Sequence, residues 1–103
     1  MAKFEKVEIA GQSLPIRYGF NALAIFEKES GESVSSISKF GNNVPVSIAI
    51  DLVFAGLKDG ARVSKSNFIL TKEDVGDLLD EDSNALTRVL EIFSKMMGQS
   101  KKK

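Results

Sequence analysis

The stretch PVSIAIDLVFAGLKDG, residues 45–60, holds the longest apolar run of this 103-residue chain and decides its fold. Proline at the first position suits the first turn of an α-helix, and Gly60 suits the exit from one. Because its apolar side chains point all round the helix, this stretch is predicted to be the most buried element. Asp51 is its only charge before Lys58, and we expect it to face a gap at the surface or to cap a neighbouring element.

Upstream of this helix, the sequence predicts a β-hairpin. Residues 7–9 and 14–16 alternate apolar and polar types, as half-buried strands do. Gly11-Gln12 suits a type II′ turn, because glycine accepts positive φ at the first central position. Pro15 lacks an N–H, so the second strand should lie at an edge or donate nothing inward there. An isolated hairpin is only marginally stable, so a helix must cover its apolar face.

The segments on either side of the central helix complete the pattern. Residues 19–31, GFNALAIFEKESG, predict the covering helix, which ends at Gly31. For residues 33–43 a short helix and an irregular docked segment stay equally open. Residues 61–70 predict an extended connection with its Phe-Ile-Leu end tucked inward, and Thr71 is expected to cap a further helix with acids in its first turn.

The stretch DEDSNALTRVLE, residues 80–91, has the spacing of a calcium loop, with oxygen ligands at positions one, three, five and twelve. Position six of such a loop requires glycine and here is Ala85, while position nine is the cation Arg88. Apolar residues continue at helical spacing as far as Met97, which favours an unbroken helix from about residue 83. We therefore predict a helix capped by Asp82 or Ser83 in place of a calcium site.

Composition restricts the chemistry of the protein. The chain has no Cys and no His, which excludes thiolate nucleophiles, imidazole bases, disulfides and the usual zinc sites. Neither a spaced carboxylate pair nor a phosphate-binding glycine loop is present, so we expect no enzyme, cofactor or small-molecule substrate. The formal net charge is zero, which points to a protein partner, with no nucleic acid or membrane partner. Without a signal peptide or spanning segment, a cytoplasmic location is expected.

The order of these elements predicts an α+β, mostly α fold, in which an N-terminal β-hairpin packs on a bundle of four to five helices. We expect residues 1–98 to form a single domain and residues 99–103 a basic flexible tail. From Glu73 to Asp82 six residues are carboxylates and none is basic. Two interpretations stay open for this acidic segment, a solvated face with two helix N-termini or a docking patch for a basic partner.

The hairpin and the helices together resemble the small tail assembly chaperones of long-tailed bacteriophages and prophages. Those proteins open with a hairpin of the form X-I-x-G-x-x-x-P-I-R-Y/F-G and continue with a helix of the form A-L-x-x-F-E-K-x-x-G. The matching residues are Ile9, Gly11, Pro15, Ile16, Arg17, Tyr18, Gly19, Ala22, Leu23, Phe26, Glu27, Lys28, Gly31, Phe54, Ala55, Gly56, Leu57, Leu70, Thr71, Glu73, Asp74 and Val75.

The resemblance implies a non-enzymatic protein that binds the tape measure protein, helps recruit tail tube subunits and self-associates. It also implies that the protein is not part of the mature virion. A longer frameshifted product is common in that family, and the terminal lysines are compatible with slippery codons or with a solvated tail.

The last predicted helix offers an apolar face for a helical client. Ile92 widens the apolar stripe, and methionine side chains adapt to partners of differing shape. Our hypothesis is a self-association or client surface, with plain core packing as the alternative. The residues of this hypothesis are Val89, Ile92, Phe93, Met96 and Met97. Two other functions stay open, a small adaptor that binds a protein through the acidic segment, and a calcium-responsive switch.

Overall fold

The computed structural model describes residues 4–40 and 43–101, which form an antiparallel hairpin and five helices. The protein is therefore α+β and mostly helical, with the hairpin packed against the helices, as the sequence predicts. The elements are β1 (Glu5–Ile9), β2 (Gln12–Ile16), α1 (Phe20–Ser30), α2 (Ser36–Phe40), α3 (Val46–Ser64), α4 (Lys72–Glu81) and α5 (Ala85–Lys101).

The hairpin turn is centred on Ala10 and Gly11, one residue earlier than predicted. Ile9 pairs with Gln12, and the two residues between them have positive φ, 53° for Ala10 and 81° for Gly11. Two such central residues define a type I′ turn, so the predicted type II′ turn is wrong. Alanine tolerates this conformation here because the Asp82 carboxylate accepts the Ala10 N–H at 3.0 Å.

One face of the hairpin supplies part of the core. Val7, Ile9 and Ile16 are buried, and the alternate residues of both strands face outward. The sheet of the described residues has two strands, so Pro15 lies on an edge strand, as predicted.

The central helix α3 runs four residues beyond the exit predicted at Gly60. Gly60 lies inside the helix, and the hairpin backbone packs directly against it. A Cβ at this position would lie 2.5 Å from the Pro15 carbonyl oxygen and from the Ile16 nitrogen. The glycine therefore provides close approach of a strand, and the helix ends instead at Lys65, whose φ is 64°.

Tyr18 connects the hairpin to both α3 and α5. Its ring occupies the space that a side chain at Gly56 would fill, and its hydroxyl donates to the Leu52 carbonyl at 2.7 Å. The ring packs edge-on against Phe93 with centroids 5.1 Å apart. The backbone N–H of Tyr18 donates to the Met96 sulfur at 3.2 Å. Because the phenol is fully buried, desolvation raises the pKa of Tyr18 far above its usual value.

Two ion-pair clusters connect the elements further. The fully buried carboxylate of Asp59 accepts from Arg62 at 2.9 Å and lies 3.5 Å from the guanidinium of Arg17 on the hairpin side. The Lys72 ammonium bridges two carboxylates, Glu29 in α1 and Asp51 in α3, at 2.9 and 3.0 Å. Asp51 lines an open surface depression together with Lys72, which agrees with the predicted gap at the surface, and its ion pair connects α4 to α3.

The remaining segments follow the prediction in part. α1 ends at Gly31 as expected, with a φ of 75° and an N–H bonded to the Glu27 carbonyl. Residues 36–40 form a short helix. The connection after α3 does not tuck Ile69 inward, because that side chain is 83% exposed, whereas Phe68 packs against Phe54.

The predicted tail, residues 99–103, is only partly described. α5 continues as far as Lys101, and residues 102 and 103 lie outside the described range. Across residues 4–40 and 43–101, no helix is long and apolar enough to cross a membrane.

Candidate docking groove

The helix α4 places its carboxylates by a capping box. Thr71 is the N-cap, as predicted: its hydroxyl accepts the Asp74 N–H at 3.1 Å, and the Asp74 carboxylate accepts the Thr71 N–H at 2.9 Å. This reciprocal pair satisfies two N–H groups at the helix start. The packing of buried Val75 and the ion pairs of Lys72 hold α4 against the core, so the acids of the following turns lie on its exposed side.

The stretch with calcium-loop spacing forms the end of α4, a three-residue connection and the start of α5. α5 begins at Ala85, slightly later than predicted, so the last seven loop positions are helical. The Asp82 carboxylate lies 2.9 Å from the Arg88 guanidinium, which also donates to the Glu8 carbonyl at 2.8 Å. The residues at loop positions three and nine therefore bind each other, and no cluster of three metal-ligating side chains occurs in the described ranges.

Asp82 holds the hairpin tip to the α4–α5 connection. The hydrogen bond from the Ala10 N–H, and after it the bond from Arg88, hold the pKa of the Asp82 carboxyl below its usual value. The same ion pair raises the pKa of Arg88. Asp82, which the sequence places among the possible calcium ligands, thus binds the hairpin turn and Arg88 instead.

The predicted partner surface on α5 divides between core and periphery. Val89 is fully buried, and Phe93 packs on Tyr18, so both residues belong to the core. Ile92, Met96 and Met97 are partly buried at its edge, with the Met96 sulfur bonded to the hairpin backbone. The structure therefore does not bring the five residues together on one exposed face.

A groove of about 480 Å³ lies between the start of α3, α4 and the start of α5. Its floor is apolar, and Val46 within it is 75% exposed although it is a large aliphatic residue. Gly76 and Ile50 line the groove side by side, and a Cβ at Gly76 would lie 3.5 Å from the Ile50 Cδ1 atom. The apolar lining residues are Val44, Val46, Ala49, Ile50, Leu79 and Leu86.

Carboxylates form the rim of this acid-rimmed groove. Glu73, Asp77 and Asp80 line it and are exposed. Their spacing of four and three residues places them along one side of α4. None of the three has an ion-pair partner among residues 4–40 and 43–101. Apolar side chains and uncompensated negative charge therefore lie next to each other.

A second pocket, of about 360 Å³, lies between β2 and the connection that follows α3. Leu14, Leu57 and Phe68 line it, and no charged side chain does. Such a pocket can bury apolar groups, but it provides no charge that selects among partners. The acid-rimmed groove is therefore the better candidate site.

The sequence identifies the rim of the groove but not its floor. The acidic segment is visible as a run of carboxylates, whereas the floor combines residues from three helices separated along the chain. Gly76, an isolated glycine inside a predicted helix, is the signal that could have marked the place, because glycine lowers helix propensity and leaves space beside the helix. In comparisons with known proteins, no family model, curated protein or solved structure matches this chain.

Proposed function

We propose that this chain is a non-enzymatic tail assembly chaperone of a long-tailed bacteriophage or prophage. In this proposal it acts in the host cytoplasm, outside the mature virion, where it binds the tape measure protein and helps recruit tail tube subunits. The acid-rimmed groove carries the proposal, because a chaperone for a long helical client needs an exposed apolar cleft that accepts one face of a helix.

The residues behind the resemblance support it, because they fix the hairpin on α3. Gly11 has the positive φ of the turn, and Pro15 packs on Gly60. The Arg17 N–H donates to the Gly56 carbonyl at 3.0 Å. The residues that carry the resemblance thus act together to hold the hairpin on α3, and this common role supports the proposal.

The partly buried residues of α5 stay in the proposal as a second apolar contact for the client. Ile92, Met96 and Met97 lie at the edge of the core, where a client helix can extend the packed surface. Val89 and Phe93 are core residues, since Val89 is fully buried and Phe93 packs on Tyr18, so neither is available to a client.

Co-expression with the tape measure protein encoded beside it tests the proposal. We expect the chain to raise the soluble fraction of that protein and to co-purify with it. The position of the gene, between those of the tail tube and tape measure proteins, is the corresponding expectation in the genome. An insoluble tape measure protein that never co-purifies with this chain would refute the function.

A small adaptor that binds a folded basic protein is the second candidate, favoured by the unpaired rim carboxylates of α4. Such binding is mainly electrostatic and should disappear in high salt. The two functions differ in their response to Gly76→Leu, which fills the apolar floor and leaves the charges in place. Client binding should weaken in that variant, whereas adaptor binding should persist.

A further inference from the structure

The charges of this neutral chain are segregated along α3. The groove with its acidic rim lies at the first turns of the helix, beside Ile50. The exposed charges of the last turns have the opposite sign: Lys58 and Arg62 are exposed, Arg62 while also bound to the buried Asp59 carboxylate, and Lys65 follows as the C-cap residue. Ile50 lies 8 residues before Lys58 and 12 before Arg62, which is about 12 and 18 Å along a helix. No ion pair joins the two charged regions among residues 4–40 and 43–101.

The two regions match in spacing as well as in sign. The rim acids Glu73, Asp77 and Asp80 follow each other at intervals of four and three residues, and the three cations at 58, 62 and 65 follow at the same intervals. A cation in this set also stands over an aromatic ring, since the Lys58 ammonium lies 5.8 Å from the Phe54 centroid. Matching potentials of this kind steer association and fix its register.

Exposed apolar groups accompany both charged regions. Val46 is 75% exposed in the floor of the groove, and Ile69 is 83% exposed four residues beyond Lys65. The basic end thus presents an exposed apolar side chain at the edge of the pocket between β2 and the connection after α3, and the acidic end presents an apolar depression. An interface needs an apolar centre with a polar rim, and the two ends together supply both.

We propose that the basic end of α3, comprising Lys58, Arg62, Lys65 and the neighbouring Ile69, docks in the acid-rimmed groove of a second copy of this chain. The contact is head-to-tail, because each copy uses two different surfaces, and it extends into a closed ring or an open filament. Only one consequence rests on the proposed function, namely that the second copy and the helical client compete for the same groove. Self-association then shields the apolar floor until the client displaces it.

Charge-swapped variants of the full chain test this contact by sedimentation velocity at low and high salt. We expect the wild-type chain to self-associate, and more weakly at high salt. Asp77→Lys with Asp80→Lys makes both ends basic, and Lys58→Glu with Lys65→Glu makes both ends acidic. Each variant alone should associate about tenfold more weakly, since its two ends repel each other. Mixed in equal amounts, the two variants should associate with each other.

The control carries the same change in net charge at other exposed acids. Glu81→Lys with Glu91→Lys lies outside the groove, and its self-association should stay within about twofold of wild type. Ile69→Ser keeps every charge and should weaken association through the apolar contact alone. Circular dichroism confirms that each variant is folded before its association is measured.

Three results would overturn the proposed contact. They are a wild-type chain that stays monomeric at low salt, charge-swapped variants that do not associate when mixed, and a control that weakens association as much as the groove variant. The tape measure experiment is independent of these results. A chain that solubilises the tape measure protein but stays monomeric keeps its function and loses this interface. A chain that assembles through this contact but leaves the tape measure protein insoluble keeps the interface and loses the function.

Discussion

Two glycine-to-alanine substitutions in helices should change stability in opposite directions. Gly60 in α3 and Gly76 in α4 are both helical, and alanine is favoured over glycine in a helix interior by about 1 kcal/mol. Local preference alone therefore predicts that both substitutions stabilise the protein by the same amount. The surroundings of the two positions predict otherwise.

At Gly76 the new methyl group meets only the end of the Ile50 side chain, at 3.5 Å, an ordinary contact distance. Gly76→Ala should therefore raise the free energy of unfolding by up to about 1 kcal/mol. At Gly60 the methyl group would lie 2.5 Å from the backbone of Pro15 and Ile16. β2 must then retreat by about 1 Å to restore van der Waals separation.

That retreat has a cost that exceeds the gain in helix preference. It stretches the 3.0 Å hydrogen bond from the Arg17 N–H to the Gly56 carbonyl, worth about 1 kcal/mol. Forcing a methyl group into a packed core costs about 1–3 kcal/mol more. With the helix preference subtracted, Gly60→Ala should lower the free energy of unfolding by about 2 kcal/mol, or about 8–16 °C in Tm for a domain of this size.

Urea denaturation followed by circular dichroism at 222 nm measures both variants under the same conditions. The expected difference between the two variants is about 3 kcal/mol, with wild type between them. If Gly60→Ala proves as stable as Gly76→Ala, the close packing of the hairpin on α3 is refuted.

Two further predictions concern titration. Tyr18 is the only tyrosine of the chain, so absorbance at 295 nm reports this residue alone. Because burial raises the pKa of Tyr18, no phenolate should form near pH 10 while the protein is folded. Stability should fall as the pH rises above about 10, since only the unfolded chain then ionises, and a phenolate signal that appears before the helical signal is lost would contradict the burial. The pKa of Asp82 is lowered by the Ala10 N–H and then by Arg88, so its contribution to stability is present above about pH 4 and is lost on further acidification. Asp82→Asn should therefore make acid unfolding less steep, which circular dichroism at 222 nm measures across the acid limb.

The features of the fold that the sequence predicts correctly depend on neighbouring residues. The N-cap at Thr71 depends on that residue and the acids of the next turn, and the end of α1 depends on Gly31. The alternation of the hairpin and the apolar stripe of α5 are likewise local periodicities. These signals require no knowledge of what the element contacts.

The features that the sequence does not predict depend on distant contacts. The turn is centred on Ala10 because Asp82 binds its N–H across 72 positions of the chain. Gly60 resembles a helix end until the hairpin is known to pack on it. The stripe of α5 does not reveal which of its residues are buried, and for that reason the sequence predicts Val89 and Phe93 as partner contacts although both belong to the core.

The contacts between the hairpin and α5 also determine when the native state can be completed during translation. The hydrogen bond between the Glu8 carbonyl and Arg88 spans 80 positions, and the one between the Tyr18 N–H and Met96 spans 78. Neither bond can form until the second residue has been synthesised. At 5–20 residues per second, ribosomes need roughly 4–16 s to make that length of polypeptide. During this interval the apolar face of the hairpin has no α5 to cover it, so a nascent chain that stalls before residue 88 should be the form most prone to aggregate or to be captured by holdase chaperones.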